Sequence, residues 1–129
     1  MIGKLLDSTV LIDLSRGNAD AADFVDAAFR AGTPLFISVI SAMELIAGCR
    51  NQAEVAKVQG LVADFTLIHI SSAESAKAYA LMLSYNKSDG LAIPDALIAA
   101  TAITQGLELV TDNDRHFKMI PELTARRPY

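Results

Sequence analysis

Short apolar runs alternate with helical stripes along this chain, and that alternation constrains its fold more than any other feature. Leu5-Leu6, Leu35-Phe36-Ile37-Ser38-Val39, Thr66-Leu67-Ile68-His69-Ile70 and Leu107-Glu108-Leu109-Val110-Thr111 have strand length and apolar, partly β-branched character. Between them the apolar residues recur three and four apart. A short helix runs from Asp7 to Arg16-Gly17. Asn18 caps the next, whose stripe is Ala21, Phe24, Val25 and Ala28, and Gly32 and Pro34 end it. Ser41 opens a helix to Gly48, and Asn51 one carrying Val55, Val58, Val62 and Phe65. Ser71 and Glu74 stand at capping-box spacing before a helix with Ala76, Tyr79, Ala80 and Leu83 on one face. Asn86-Lys87-Ser88-Asp89-Gly90 reads as a loop. Pro94 starts a helix that is apolar almost all round and stops at Gly106, so it belongs in the middle of a layer. A short helix near Arg115 to Phe117 closes the readable part. Strands alternating with helices imply an α/β fold, with a parallel sheet covered on both faces.

At 129 residues, 52% hydrophobic and 20% charged, the chain reads as one globular domain spanning residues 1–129. Met1 leads straight into the first strand, and no apolar run approaches the roughly 18 residues that would span a membrane. The single Cys49 excludes an intrachain disulfide and reads as a small half-buried residue, which fits a cytoplasmic location. A net charge of −4 argues against holding nucleic acid by bulk electrostatics. Basic residues are scattered, and the one adjacent pair, Arg126-Arg127, reads as a solvated tail.

Chemistry is expected where acids interrupt this pattern. Asp7 directly follows a buried strand, where an ionised carboxylate is costly unless paired, hydrogen-bonded or on a metal. Glu44, Asp95 and the group Asp112-Asn113-Asp114 also fall where an element begins. Each has a plain structural explanation: Asp7 and Asp112 as helix caps, Glu44 in a Ser-x-x-Glu box with Ser41, Asp95 in a first turn favoured by the helix dipole. Together they are harder to dismiss. In a parallel sheet the residues after each strand, and the starts of the returning helices, share one edge, which is where ligands bind in such folds. Carboxylates gathered there repel one another unless a cation intervenes. Oxygen donors without cysteine or a histidine pair select Mg²⁺ or Mn²⁺ over zinc. His69 and His116 read as packing or surface residues, and the Thr111 hydroxyl stands beside the acids.

Four stretches taken in order resemble the motifs of the PIN domain family. They are Leu6-Asp7-Ser8-Thr9-Val10-Leu11-Ile12, Ser41-Ala42-Met43-Glu44-Leu45-Ile46-Ala47-Gly48, Pro94-Asp95-Ala96-Leu97-Ile98-Ala99-Ala100-Thr101-Ala102 and Val110-Thr111-Asp112-Asn113-Asp114-Arg115-His116-Phe117. Length and spacing are similar to those of the single-domain VapC toxins. The resemblance implies a three-layer α/β/α fold with a central parallel sheet of four or five strands. It implies a Mg²⁺- or Mn²⁺-dependent endoribonuclease acting on transfer or ribosomal RNA, restrained by a cognate antitoxin and forming a homodimer. Carried over motif by motif, Asp7, Glu44 and Asp95 become the metal-binding and catalytic acids, with Thr9 and Thr111 as supporting hydroxyls. At the fourth position the family pattern matches Asn113, and a later acidic position is occupied by His116. Asp112 and Asp114 flank the matched site, and either can supply the acid. Of the two, Asp112 is the expected cap of the short final helix, leaving Asp114 for the cation.

Other readings are weaker. A haloacid-dehalogenase-type phosphatase needs a second Asp two residues after the first, where this chain has Thr9. A receiver domain needs its phospho-acceptor after the third strand, where Ile70 and Ser71 stand. A catalytically dead PIN-like binding module would not need Asp7, Glu44 and Asp95 together. The mean hydropathy of +0.33 is high for a chain with this charge. Apolar positions beyond one stripe (Phe29 beside Phe24 and Val25, Ile46 beside Leu45) suggest a groove for an antitoxin helix.

Overall fold

The computed structural model describes residues 2–129, so the expectation that Met1 leads straight into a strand lies outside them. In chain order the elements are β1 (Lys4–Leu6), α1 (Ser8–Ser15), α2 (Ala19–Ala31), β2 (Leu35–Ser38), α3 (Val39–Ala47), α4 (Gln52–Val62) and β3 (Thr66–Ile68). They continue with α5 (Ser72–Asp89), α6 (Ile93–Gln105), β4 (Glu108–Val110), a 3₁₀ turn (Asp114–His116) and β5 (Ala125–Arg126). The five strands form one parallel sheet in the order β3-β2-β1-β4-β5. The upper of the two expected strand numbers holds, because β5 adds a two-residue edge strand.

Alternation along the short strands divides the core in two. Leu5, Phe36 and Leu109 face α5 and α6, where Leu81, Leu91, Ile98 and Phe117 pack. Leu6, Ile37 and Val110 face the opposite layer, against Val10 and Leu11 of α1, Val25 of α2 and Leu45 of α3. The α6 helix is buried nearly all round as expected: Ala96, Ile98, Ala99, Ala100, Thr101 and Ala102 are all inaccessible.

Several local expectations are corrected. The α3 helix begins at Val39 with Ser38 as its cap, the Ser38 hydroxyl accepting from the Ile40 N–H at 3.1 Å. Ser41 is therefore inside the helix, fully buried, and Glu44 is released from any capping role. The stretch from Asn86 is no loop: α5 continues through it to Asp89 and stops at Gly90, whose φ of +73° suits only glycine. Leu91 explains the extension. Its N–H returns to the Tyr85 carbonyl, the Asn86 amide donates to its carbonyl, and its side chain is buried. The buried face of α5 is also not the expected one, since Tyr79 and Leu83 are exposed while Glu74, Ala78 and Leu81 face inward. Glu74 is only 2% exposed and is held by the Ser71 hydroxyl at 2.9 Å. Ser71 is the cap position as expected and Glu74 reaches back to it, but the Ser71 hydroxyl bonds the Glu74 carboxylate rather than a helix N–H, so only half of the capping box forms.

The strand order places the site. Going outward from β1, the chain adds β2 and β3 on one side and β4 and β5 on the other. The connection reverses direction between β1 and β4, and open α/β sheets have their ligand crevice outside the carboxyl ends of the strands at such a switch point. Leu6 pairs with Val110 in register, so Asp7 and Thr111 leave the sheet side by side.

Candidate metal centre

Asp7 carries two duties at once. Its backbone N–H continues the sheet to the Val110 carbonyl at 2.9 Å, and its side chain caps α1, Oδ1 accepting from the Ser8 N–H at 2.8 Å. The structural reading of Asp7 as a cap is correct and does not exhaust the residue. Its other oxygen, Oδ2, accepts from the Thr111 hydroxyl at 2.8 Å, and the carboxylate is 4% exposed.

Two threonines lock the crevice. Thr111 Oγ1 spends its proton on Asp7 and accepts from the Asn113 N–H at 3.0 Å. Thr9 Oγ1 accepts from the Asp112 N–H at 3.0 Å and lies 3.5 Å from Thr111 Oγ1. Since the Thr111 proton is committed, Thr9 is the donor of that pair. The hydroxyls thereby fasten the loop after β4 to the start of α1.

Glu44 reaches the same place from α3 and Asp95 from the first turn of α6. Burial pushes the Asp7 carboxyl above the usual carboxylate range, against the bonds from Thr111 and Ser8 and the nearby His116. Burial also raises Glu44, and the negative charges of Asp7 and Asp95 add to it, while the Ser8 hydroxyl opposes. Asp95 is raised by burial and by Asp7, opposed by His116. The Asp7 charge thus reaches the acids of the other two motifs, and that of Asp95 reaches Glu44. As the side chains stand, no three acids, histidines or cysteines among the described residues are close enough to share one ion.

The fourth acidic position resolves differently from expectation. Asp112 does not cap the 3₁₀ turn: Asn113 holds the cap position and makes no side-chain bond. The Asp112 carboxyl turns instead to Asp13 of α1, and burial together with that neighbour lifts it to about 6. Asp13 is held low, chiefly by the Tyr129 hydroxyl and then by Asp112. Asp114 is paired with Arg127, Nη1 to Oδ1 at 3.4 Å.

Four residues of this neighbourhood were not legible as such in the sequence. Ser8 stands in the first motif with no role assigned to it, yet its hydroxyl lies beside both Asp7 and Glu44 and favours their ionised forms against the effect of burial. His116 is no mere packing residue, since its Nδ1 lies 3.7 Å from Asp95 Oδ2. Arg126 and Arg127 are not a solvated tail: Arg126 pairs with Glu108 at 3.2 Å and Arg127 bonds the loop. The available signal for His116 was its place three residues after the matched Asn113. For the arginines there was none without β5.

A pH dependence follows from these directions. Asp7, Glu44, Asp95 and Asp112 all have folded pKa values above the ordinary 3.8 or 4.5. The folded protein holds protons that the unfolded chain has released, so stability present below about pH 4 is lost as pH rises through the folded values. The lowered groups, Asp13, Glu54 and Glu74, act in the opposite sense, but below their ordinary values. In chelator, the melting temperature should therefore fall between pH 4.5 and about 6.5, the window reaching past the Asp112 value of about 6. Saturating Mg²⁺ or Mn²⁺ should flatten the slope. A melting temperature that climbs steadily across that interval in chelator contradicts the assignment.

The comparisons agree with this geometry. The PIN domain family profile matches residues 4–123. The chain is 41% identical over 120 residues to Ribonuclease VapC10 of Mycobacterium tuberculosis, covering 92% of this chain and 89% of that one. Among solved structures, it is similar to a chain of a toxin-antitoxin complex from Klebsiella pneumoniae, with TM-score 0.78, 33% identity and 98% of each chain covered. A chain of the DNA-bound VapBC structure from Salmonella typhimurium superposes with TM-score 0.85 over 100% of both chains, at 23% identity, and shares the fold. A sheet with its crevice between β1 and β4, acids from three motifs at that edge, and similarity along nearly the whole chain lead to one conclusion: this protein belongs to the PIN domain family, among its VapC members.

Proposed function

We propose that the chain is a divalent-cation-dependent endoribonuclease, the toxin partner of a toxin–antitoxin pair, cleaving transfer or ribosomal RNA at the crevice between β1 and β4. The observation that carries it is the convergence of three acids from three motifs: buried Asp7 follows β1 bonded to Thr111, and its charge raises both Glu44 and Asp95. The curated relative's name, a ribonuclease, supports the reaction class.

The donor set fits a hard cation. Every candidate ligand is a carboxylate oxygen, and an ionised carboxylate retains lone pairs beyond the single bond that Thr111 or Ser8 gives each Asp7 oxygen. Asp7, Glu44 and Asp95 would hold Mg²⁺ or Mn²⁺, with Asp114 or Asp112 as a fourth ligand. The exposed Glu44 has room to turn inward. When bound, such an ion neutralises phosphate charge and makes water a stronger nucleophile. The chain's own work is orientation. Thr111 fixes the plane of the Asp7 carboxylate, the Ser8 hydroxyl lies near both it and Glu44, and His116 offers a nearby imidazole beside Asp95. The cation also removes the repulsion between RNA and a chain of net charge −4.

The partner surface is a groove of about 510 Å³ between α1, α3 and α4, where Ile12, Leu45, Val58 and Leu61 supply apolar walls. Met43 and Ile46 are exposed on α3. An amphipathic antitoxin helix fits this surface, and the solved relatives include toxin-antitoxin complexes. A homodimer would use further apolar surface such as Tyr79 and Leu83. No helix among the described residues is long and apolar enough to cross a membrane.

The deciding experiment incubates the purified protein with total RNA in Mg²⁺, in Mn²⁺ and in chelator, and maps the fragment ends. Discrete cuts should form with either cation and vanish in chelator. Intact RNA under all three conditions, with the protein folded, overturns the reading.

A further inference from the structure

The residues after β5 reach back across the acidic end of the sheet. Arg127 Nη1 donates to the Asp112 carbonyl at 2.8 Å and to Asp114 Oδ1 at 3.4 Å. The Tyr129 hydroxyl donates to Asp13 on α1, and α1 in turn holds the loop where Thr9 Oγ1 accepts from the Asp112 N–H at 3.0 Å. Segment 127–129, the loop 112–114 and α1 are thus closed into one ring of contacts, and the register of β5 creates it. Thr111 N–H donates to the Arg126 carbonyl at 2.9 Å, so Arg127 necessarily leaves the sheet beside the loop.

The loop needs such a tie. Its base is held by the two threonine hydroxyls and its far end by buried Phe117, but Asn113, at the cap position of its 3₁₀ turn, gives that turn no side-chain capping bond. Segments with few bonds of their own open at low free-energy cost. A guanidinium suits the task because the two hydrogens of Nη1 serve a carbonyl and a carboxylate together and the planar group is pre-organised, so less freedom is lost per bond than with a flexible ammonium.

We propose that Arg127, braced by the Tyr129–Asp13 contact, is a positioning residue that holds the Asp112–Asp114 loop in place at the mouth of the acidic site. The inference rests on the RNA-cleaving reading for its consequence and on geometry alone for its cause. Arg127 and Asp114 are 57% and 43% exposed, so their ion pair adds little to global stability. Positioning and folding can therefore be separated.

The test compares Arg127→Ala, Arg127→Lys and Tyr129→Phe with the parent. Amide exchange is read at Asp112, Asn113 and His116 in chelator without RNA, and steady-state cleavage is read with Mn²⁺. Arg127→Ala should speed exchange at those amides by about fivefold or more while the melting temperature moves by no more than about 2 °C. It should lower kcat by about tenfold with KM little changed, the scale of losing a supporting partner. Arg127→Lys should recover part of both losses, and Tyr129→Phe should speed exchange at the same amides to a smaller degree. Unchanged exchange in Arg127→Ala overturns the proposal. A rise in KM with kcat intact also overturns it, by making Arg127 an RNA contact. Because exchange needs no RNA, a parent that cuts no RNA but shows the exchange effect refutes the nuclease reading and leaves the clasp standing.

Discussion

Asp7→Asn should abolish RNA cleavage while making the cation-free protein harder to melt. The two effects have one cause. The Asp7 carboxylate is 4% exposed, and its burial already resists ionisation. An amide of the same shape removes that buried charge and keeps an oxygen to accept the Ser8 N–H that caps α1. The Thr111 hydroxyl can turn its proton to Thr9 Oγ1, reversing that pair, and accept from the amide nitrogen in its place, so the buried amide is not stranded. The melting temperature in chelator should therefore rise by a few degrees at pH 7, the scale that about 1 kcal/mol sets in a domain of this size. Cation affinity and catalysis move the other way, and cleavage should drop by at least about a hundredfold. The parent should gain thermal stability on addition of Mn²⁺ and the variant should not. Cleavage within a few-fold of the parent, or a variant melting well below it, would mean that Asp7 is only a cap.

Phe117→Ala should be the most destabilising single truncation near the site. Phe117 is 1% exposed and the largest fully buried side chain, packed among Leu5, Leu109 and Ile120 directly after the 3₁₀ turn. Truncating a buried phenylalanine removes apolar contact and leaves a cavity, together about 3–5 kcal/mol. In a chain of this length that lowers the melting temperature by roughly 10–15 °C. The urea midpoint should fall at constant slope, since the same surface is exposed on unfolding. Cleavage should weaken as well at temperatures where the variant is still folded. The Phe117 N–H closes the turn onto the Asp114 carbonyl at 3.0 Å, so its ring anchors the loop bearing Asp112 and Asp114. A melting temperature within about 3 °C of the parent would refute the packing account.

What could be read from the residues was what local chemistry marks. An acid ending an apolar run exposes Asp7, and Pro94 with a nearly all-apolar helix behind it exposes α6. Asn18 and Asn51 behave as the caps their surroundings suggest, accepting from the Ala21 and Glu54 N–H groups at 3.0 Å. What escaped depends on partners remote in sequence. Ser38 and Ser41 are both credible caps, and only the length of β2 chooses between them. The polar end of α5 became helix because Leu91 finds a core to enter, a tertiary gain that outweighs weak propensity. β5 is two residues long, too short for any periodic signal, and its pairing with β4 determines where Arg126 and Arg127 go. The strand order was equally invisible, since alternation announces a parallel sheet without saying which strands are neighbours.

That order has a consequence for synthesis. The hydrogen bond between Asp7 and Thr111 spans 104 positions, and β1 is completed on that side only by β4. A chain emerging from the ribosome can assemble β1, β2 and β3 with their helices, but half of the crevice is then missing. The acid made first waits almost the whole length of translation for the hydroxyl that orients it. Contacts so distant in sequence also make the closing step slow. An incomplete or prematurely released chain carries Asp7 and Glu44 yet cannot build the centre. A fragment that ends before β4 lacks both the Thr111 hydroxyl and one side of the sheet edge at which Asp7 stands.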